Sequence, residues 1–251
     1  MVEIDAHELG IRDINTGIRR AAEQHEQIVL LHPDARHNLA VGLTRPVALT
    51  IRGSAGYFCS GLCDGPTVDV EGNVGWAFGD NLMGGLLRVA GNAGAVCGVG
   101  MRDGRILVGQ NMGSRAGQVM KGGSIVCCGN AGFRAGSMMM GGTTVILGDA
   151  AEELGEFIMD GQIYVAGKVK SIGQDAVAAE TTEDDEARVR SILAGHDLAH
   201  AGPFVKIISD QRALRYAEYE KGELLFNRAQ EEKAQTAAAD GNRDVMAFDS
   251  D

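Results

Sequence analysis

Glycines recur every 19 residues through the middle of this 251-residue chain, and this spacing constrains the fold more than any other feature. Four lines of glycines share the spacing. They are Gly72, Gly91, Gly129, Gly148 and Gly167; Gly75, Gly94, Gly113 and Gly132; Gly79, Gly98, Gly117, Gly136 and Gly155; and Gly85, Gly104, Gly123, Gly142 and Gly161. Two irregularities interrupt them, a slip at Gly109–Gln110 and a break at Ala151. A fixed repeat is typical of stacked structural units, and we predict that these glycines form the structural turns.

Each repeat contains a short segment with the composition of a β-strand. Ser124–Cys128 includes the β-branched residues Ile125 and Val126 and is bounded by glycines. Similar segments occupy the same place in other repeats, namely Leu86–Ala90, Arg105–Val108, Thr143–Leu147 and Gln162–Ala166. The Gly-Asn or Gly-Asp pair that follows is expected to turn the chain through positive φ angles. No segment of the repeat reaches helix length.

A closed coil of this length with short strands is one rung of a parallel β-helix. Rungs stack at the inter-strand spacing, so seven of them would form a column about 30–35 Å long. A flexible linker is disfavoured, because linkers lack both a fixed spacing and apolar residues between the glycines. We therefore predict an all-β core: a right-handed, single-stranded parallel β-helix of about seven rungs, with an α/β N-terminal cap and C-terminal helices.

Non-repetitive segments on either side of the repeats set the predicted domain boundaries. Residues 1–46 are an N-terminal cap, residues 47–176 the β-helix, residues 177–229 a C-terminal helical segment and residues 230–251 a flexible tail. Val47 is expected to start the first rung. The cap is expected to cover the open end of the column, because an uncovered strand edge invites pairing with other chains.

The N-terminal flank and the segment after the repeats carry helix signals. A first helix is predicted near Asp13 or Asn15, either of which could cap it, and a buried strand from Gln27. Thr182 is expected to cap an acidic helix that begins at Glu183, whose carboxylates suit the first turn.

The last 50 residues are predicted to contain a short strand, a second helix and a flexible tail. We expect a strand or extended run from Phe204 and a second helix over Asp210–Lys221. From Gln230 the composition favours partial disorder. Val245–Phe248, an apolar patch in this tail, is predicted to be able to dock on a partner.

Composition excludes several classes of function. The net charge is −11 and no basic cluster exceeds two residues, which disfavours nucleic-acid binding. No apolar run approaches the length of a membrane span, and the first residues do not resemble a secretory signal. Five cysteines, an odd number, indicate reduced thiols and a cytoplasmic protein.

Cysteines and methionines are the most obvious candidates for a metal site. Cys59 and Cys63 form a C-x3-C, but zinc and iron–sulfur sites use tighter paired motifs. We therefore interpret the cysteines as small buried hydrophobic residues; they are Cys59, Cys63, Cys97, Cys127 and Cys128. Methionines could suggest copper, but a core ladder explains their recurrence at one repeat position better, at Met83, Met101, Met120, Met139 and Met159.

The remaining motifs are weak. Gly98–Asp103 echoes a dinucleotide loop but lacks the third glycine and the following helix. His196 and His200 would share a helix face, but surface positions are expected for them. Arg36–His37 is a polar cluster without an assigned partner. Carboxylates on the rungs are few and unpaired; they include Asp80, Asp103 and Asp160. We predict no catalytic, cofactor-binding or metal-binding residue on this chain.

The glycine pattern resembles a known family. Gly91–Gly98 and Gly129–Gly136 each read G-x-x-G-x-x-x-G and resemble the GXGXG-repeat family. That family includes the C-terminal β-helix domain of the glutamate synthase large subunit, the B subunit of N-methylglutamate synthase and the C subunit of formylmethanofuran dehydrogenase complexes. The flanks Asp13–Arg19 and Ser171–Ala176 and the acidic helix from Glu183 resemble the glutamate synthase branch.

The resemblance implies a function through partners. A chain of this length is most similar to the N-methylglutamate synthase member of the family, which would hold an amidotransferase-like subunit and a synthase subunit together. FMN and an iron–sulfur cluster would then lie on the synthase partner, with none on this chain. An alternative is the C subunit of a formyltransferase/hydrolase complex in one-carbon metabolism. A third possibility, a free-standing sugar-binding β-helix enzyme, needs a row of carboxylates that the rungs lack.

Overall fold

The computed structural model describes residues 1–199 and 202–210, and nearly all of them belong to the first of two compact units, Met1–Ser209. Four of the sequence predictions lie outside the described residues: the second C-terminal helix, the tail from Gln230, the docking segment Val245–Phe248, and His200.

One parallel ladder organises this unit. Its strands are β1 (Val2–Asp5), β2 (Gln27–Leu31), β3 (Ala48–Ile51), β4 (Thr67–Val70), β5 (Leu86–Val89), β6 (Arg105–Val108), β7 (Ser124–Cys127), β8 (Met140–Ile146), β9 (Asp160–Val165), β10 (Ala176–Ala179) and β11 (Val205–Ser209). Strands β1 to β9 lie side by side in chain order and in parallel, and antiparallel β11 and β10 complete the sheet. The described residues form two helices, α1 (Ile11–Ala21) and α2 (Glu183–Ala194).

The 19-residue spacing sets the pairing. Thr67 lies opposite Leu86, Leu86 opposite Arg105, and Arg105 opposite Ser124. A second parallel line of single bridges runs along another side of each turn, from Ala55 to Val169. The chain is therefore a β-solenoid of about seven turns, and the predicted fold class is confirmed.

The solenoid begins earlier than predicted. Strand β2 pairs in parallel with β3, and the coil after it is hydrogen-bonded to the next turn, for example from the Asn38 N–H to the Tyr57 carbonyl. The expectation that Val47 starts the first rung is therefore wrong. Residues 27–46 were missed because all but one of their positive-φ positions hold residues other than glycine, for example Ala35, Asn38 and Ala40; the exception is Gly42.

The core consists of stacked side chains that point inward from alternate strand positions. One line of buried residues runs Leu49, Val68, Leu87, Ile106, Ile125, Thr144 and Ile163. A parallel line runs Ile51, Val70, Val89, Val108, Cys127, Ile146 and Val165. Helix α1 closes onto this core through Ile14 and Ile18.

The glycine lines serve two different physical purposes. Gly123 has a φ of +78°, a conformation that costs other residues energy. Gly94 does not have positive φ; a Cβ there would lie 2.7 Å from the backbone carbon of Gly75 in the preceding turn. The Gly-Asn pairs also lack positive φ, so the expectation that they turn the chain in that way is wrong. Glycine is needed there because adjacent turns approach closely.

Helix capping agrees with prediction at one end of the chain only. Helix α1 begins at Ile11 after Gly10 and has no side-chain cap, so the expected caps Asp13 and Asn15 are wrong. The Asn15 side chain instead binds the coil that follows β2, where its Oδ1 accepts the Ala40 N–H at 2.8 Å. Helix α2 has the predicted Thr182 cap within a reciprocal capping box.

Helix α2 packs against the outer face of the solenoid sheet. Val189 and Leu193 contact a second apolar cluster formed by Val126, Val145 and Tyr164. The outward positions of the last strands are therefore apolar, whereas the equivalent positions of earlier strands hold Thr50, Asp69 and Arg88.

A buried polar network anchors the helix to the sheet. Asp185 accepts hydrogen bonds from the Tyr164 hydroxyl at 2.6 Å and from the Lys206 ammonium at 2.8 Å. Burial by itself raises the pKa of Asp185, but the hydrogen bonds from Lys206, Tyr164 and Thr182 outweigh it and hold the pKa well below its usual range. The carboxylate is therefore ionised and structural.

Candidate partner-binding face

Exposed apolar side chains concentrate on one side of the solenoid. We call this side the turn face, meaning the outward side chains of segments 57–64, 76–83, 95–102, 114–121 and 133–140. Of the 12 exposed large hydrophobic residues among those that the structure describes, eight lie on it: Tyr57, Phe58, Leu62, Trp76, Met83, Phe133, Met138 and Met140. Such a concentration marks an interaction surface.

The local backbone explains why these side chains are exposed. Phe58, Ser60 and Leu62 all have positive φ, at 58°, 55° and 57°. This alternation points Cys59 and Cys63 into the core and leaves Phe58 and Leu62 outside. The same positions have positive φ in later turns, so the geometry repeats along the face.

Aromatic rings stack along one line of the turn face. The rings of His37 and Tyr57 are 4.5 Å apart, and those of Tyr57 and Trp76 are 5.3 Å apart and nearly parallel. His37 is fixed in this stack because its Nδ1 accepts the Tyr57 N–H at 2.9 Å. Trp76 is 56% exposed, so the last ring of the stack is available to a partner.

The aromatic line is interrupted after Trp76. The next two turns place Ala95 and Ser114 at the equivalent position, and an aromatic ring returns at Phe133. Three turn spacings separate Trp76 from Phe133, about 14 Å. The line therefore has exposed aromatic rings at two ends and small side chains between them.

Cations occupy the middle of the face. Arg102, Arg115 and Lys121 form no ion pair with any carboxylate among the described residues. Arg115 lies 5.8 Å from the centre of the Phe133 ring. By contrast, Arg134 in the next turn is paired with Glu153 and Glu156 at 2.6 and 3.0 Å.

This face was not predicted from the sequence. Its signal was the same 19-residue spacing, because Tyr57, Trp76 and Phe133 differ by multiples of 19. The pattern was obscured because small residues separate the aromatic ones.

All five cysteines are free, and four are buried in the core lines. Burial raises the pKa of the Cys59 thiol to about 12 and those of Cys63 and Cys127 to about 11. Burial raises the pKa of Cys97 as well. Thiolates are therefore disfavoured, and these groups suit packing better than nucleophilic attack or metal ligation.

The methionine ladder is only partly correct. Met101, Met120 and Met139 are fully buried on one line of the core. Met83 and Met159 lie one residue beyond that line, and Met83 is 41% exposed. A one-residue shift along an extended chain reverses the side-chain direction, which explains the error.

The glycine amides of the candidate dinucleotide loop and two of the candidate carboxylates form hydrogen bonds within the solenoid. The Gly98 N–H donates to the Phe78 carbonyl and the Gly100 N–H to the Gln118 carbonyl, so these amides are not free to bind a phosphate. Asp103 and Asp160 each accept the backbone N–H of the following glycine at 2.7 Å. These two carboxylates are three turns apart, about 14 Å, and do not form a pair.

Arg36 and His196 take structural positions in the described part of the chain. Arg36 donates to the carbonyls of Ala6 and Leu9, tying the first coil to the N-terminus. His196 is buried, at 7% exposure, so the expected surface position is wrong. Helix α2 ends at Ala194, and the His196 N–H donates to the Leu193 carbonyl in the turn that follows.

The irregular corners border a ladder of asparagine side chains. Asn92 Oδ1 accepts the Asn111 N–H at 3.1 Å, and Asn111 Oδ1 accepts the Asn130 N–H at 2.8 Å. Gln110, at the slip in the glycine line, adds to this ladder by accepting the Asn92 amide at 3.1 Å. Ala151, at the break, keeps the backbone bond of its line, to the Ala131 carbonyl.

Neither a metal cluster nor a membrane-spanning helix is present among the described residues. No group of three or more histidine, cysteine, aspartate or glutamate side chains is placed there to hold a metal ion. In the same residues, neither helix has the length and apolar character needed to cross a membrane.

Comparison with known proteins finds a relative over part of the chain. No family model matches the chain. The chain is similar to Protein GlxC of Rhizobium meliloti (strain 1021), with 32% identity over 75 residues. The matched stretch is 29% of this chain and 33% of GlxC, so the chain spans about a third of the length of the curated relative that it matches.

Proposed function

We propose that this chain is a non-catalytic structural subunit of a glutamate-synthase-like complex. The observation that carries the proposal is the turn face, where a rigid solenoid presents exposed aromatic and aliphatic side chains on one side. The similarity to GlxC supports a glutamate-synthase-like subunit. The burial of the thiols and the commitment of the loop amides favour a role in binding partners over a role in chemistry.

The finer form of the proposal is an N-methylglutamate synthase. In it, this chain holds an amidotransferase-like subunit and a synthase subunit together, and the complex makes N-methylglutamate from glutamate and methylamine. FMN and an iron–sulfur cluster would belong to the synthase subunit. Five free thiols suit a reducing compartment, and the proposal places the complex in the cytoplasm.

Purification of the intact complex tests the proposal. The full chain, tagged and expressed in its own organism, should retain a subunit with a flavin absorbance spectrum and a second amidotransferase-like subunit identified by mass spectrometry. The complex should turn over glutamate and methylamine, and the chain alone should not. Retention of a formyltransferase without flavin, or turnover by the isolated chain, would reject the proposal.

A further inference from the structure

The turn face combines apolar ends with unpaired cations at its centre. Tyr57, Phe58, Leu62, Trp76 and Met83 form one end, and Phe133, Met138 and Met140 form the other. Between them, Arg102 and Lys121 occupy the same position in consecutive turns, because the Lys121 N–H donates to the Met101 carbonyl as the Arg102 N–H donates to that of Leu82. Arg115 lies in the same turn as Lys121.

These cations lie in two segments of the turn face, 95–102 and 114–121, that contain no aspartate or glutamate. The net charge is −11, and the neighbouring Arg134 has two acidic partners whereas these three have none among the described residues. Arg115 contacts the Phe133 ring, whereas the side chains of Arg102 and Lys121 have no hydrogen bond, ion pair or ring contact among the described residues. An unpaired cation cluster beside exposed aromatic rings is complementary to carboxylates that are themselves flanked by apolar side chains.

We propose that the turn face binds an acidic segment of a partner protein that carries carboxylates between aromatic or aliphatic side chains. The carboxylates contact Arg102, Arg115 and Lys121, and the apolar side chains pack beside Trp76 and Phe133. Ala95 and Ser114 leave the space for them, because their small side chains interrupt the aromatic line. This inference rests on the proposed function, since it names the surface by which the complex assembles.

The central experiment compares two triple variants in the native complex. R102Q/R115Q/K121Q removes the turn-face cations. R12Q/R20Q/R52Q is the matched control, since it removes three other exposed arginines and gives the same net charge. The proposal expects the flavin-containing subunit to co-purify with wild type and control but to fall at least about tenfold with the turn-face variant. W76A should weaken retention similarly while circular dichroism stays unchanged.

Cross-linking locates the contact directly. A carbodiimide joins an amine to a carboxylate without a spacer, so Lys121 should become linked to an aspartate or glutamate of the partner. The linked peptide, read by mass spectrometry, should carry an aromatic or aliphatic residue next to the carboxylate. Equal retention of the partner by both triple variants, or cross-links only from lysines away from the turn face, would overturn the inference and leave the proposed function intact.

If the wild-type chain retains no flavin-containing subunit, that result rejects only the proposed function. A peptide-binding assay then tests the inference by itself. The probe is acetyl-Asp-Glu-Phe-Glu-Leu-Asp-amide, which lacks tryptophan, and Trp76 is the single tryptophan of the chain. A saturable change in Trp76 emission that weakens at least about tenfold in R102Q/R115Q/K121Q supports the inference. No binding up to millimolar peptide, or equal competition by a 20-nucleotide single-stranded DNA, overturns it.

Discussion

At the residue scale, most positions are explained by the line of the solenoid to which they belong. A residue's neighbours in the adjacent turns are the residues 19 before and 19 after it. Its side chain packs well only if its size and polarity suit those two. Exceptions to the character of a line are therefore informative. Thr144 is a polar residue in an apolar line, and His196 is a buried imidazole without a hydrogen-bond partner among the described residues.

Replacing Thr144 by valine should stabilise the protein. The Thr144 Oγ1 is buried without a hydrogen-bond partner in the described part of the chain, and its line otherwise holds leucine, valine and isoleucine. Leaving such a group unsatisfied costs about 1–3 kcal/mol. We expect T144V to raise the free energy of unfolding by about 1 kcal/mol in urea denaturation. T67V, at a half-buried outward position, should change it by less than about 0.5 kcal/mol. A destabilised T144V would show that the hydroxyl has a partner.

Protonation of His196 should destabilise the fold. Burial, together with the positive charges of Arg105 and Arg88, lowers the pKa of His196 in the folded protein. The unfolded chain therefore binds a proton at His196 more readily than the folded protein does. The contribution of His196 to the free energy of unfolding falls as the pH decreases below about 6.5.

The His196→Gln variant tests this dependence. The free energy of unfolding, measured from pH 7.5 to pH 5, should decrease less in H196Q than in wild type. His32 acts in the opposite direction, because its hydrogen bond to Asp5 raises its pKa, and it remains in both proteins. An identical slope in H196Q and wild type would contradict the assignment.

At the scale of elements, short strands and ladders matter more than helices. The strand segments were predictable because glycines bound them and apolar residues alternate within them, as in β4 and β5. Helix α2 was predictable from its acidic first turn, but helix α1 was not capped as expected because Asn15 binds the neighbouring coil. Local capping signals fail where tertiary contacts compete for the same side chain.

The stability that the asparagine ladder contributes should depend on the side-chain oxygen acceptor rather than on the side-chain NH2 group. Asn111 Oδ1 accepts the Asn130 N–H, and at the equivalent position Asp149 Oδ1 accepts the Lys168 N–H at 2.7 Å. We expect N111A to lower the free energy of unfolding by about 0.5–1 kcal/mol, because it leaves that N–H without its partner, and N111D to lower it by less. Thermal denaturation of both variants checks the order. Equal losses would show that the Asn111 amide group matters instead.

At the scale of the whole molecule, the solenoid is an array in which each turn contacts its neighbours. From β3 to β8 the turns share one backbone geometry because paired residues are 19 positions apart throughout. The outer surface is not interchangeable, since aromatic residues, cations and the helix α2 contact occur at particular turns. The array provides rigidity, and the differences between turns provide specificity.

Deletion of a whole turn should be tolerated. Removing Tyr57–Gly75, which is 19 residues, joins Gly56 to Trp76 and preserves every line. We expect this variant to keep its β-sheet circular dichroism and to unfold cooperatively at a somewhat lower temperature. Removing 57–74 instead shifts all later side chains by one position and should yield an aggregated or unfolded chain. Equal behaviour of the two deletions in size-exclusion chromatography would contradict the array description.

The sequence by itself determined the solenoid, its repeat length, the strand segments and helix α2, because these follow from local spacing and composition. Only the tertiary structure decided which lines face inward, why each glycine line is needed, where the solenoid starts and which side carries the exposed aromatic residues. The physical reason is that side-chain direction depends on backbone angles that non-glycine residues also adopt. Val96 and Val119 have φ angles of 53° and 48°, which their residue types do not indicate. Each of these residues donates its N–H to a carbonyl of the next turn, Val96 to Ser114 and Val119 to Ser137, and that environment exists only once the array has formed.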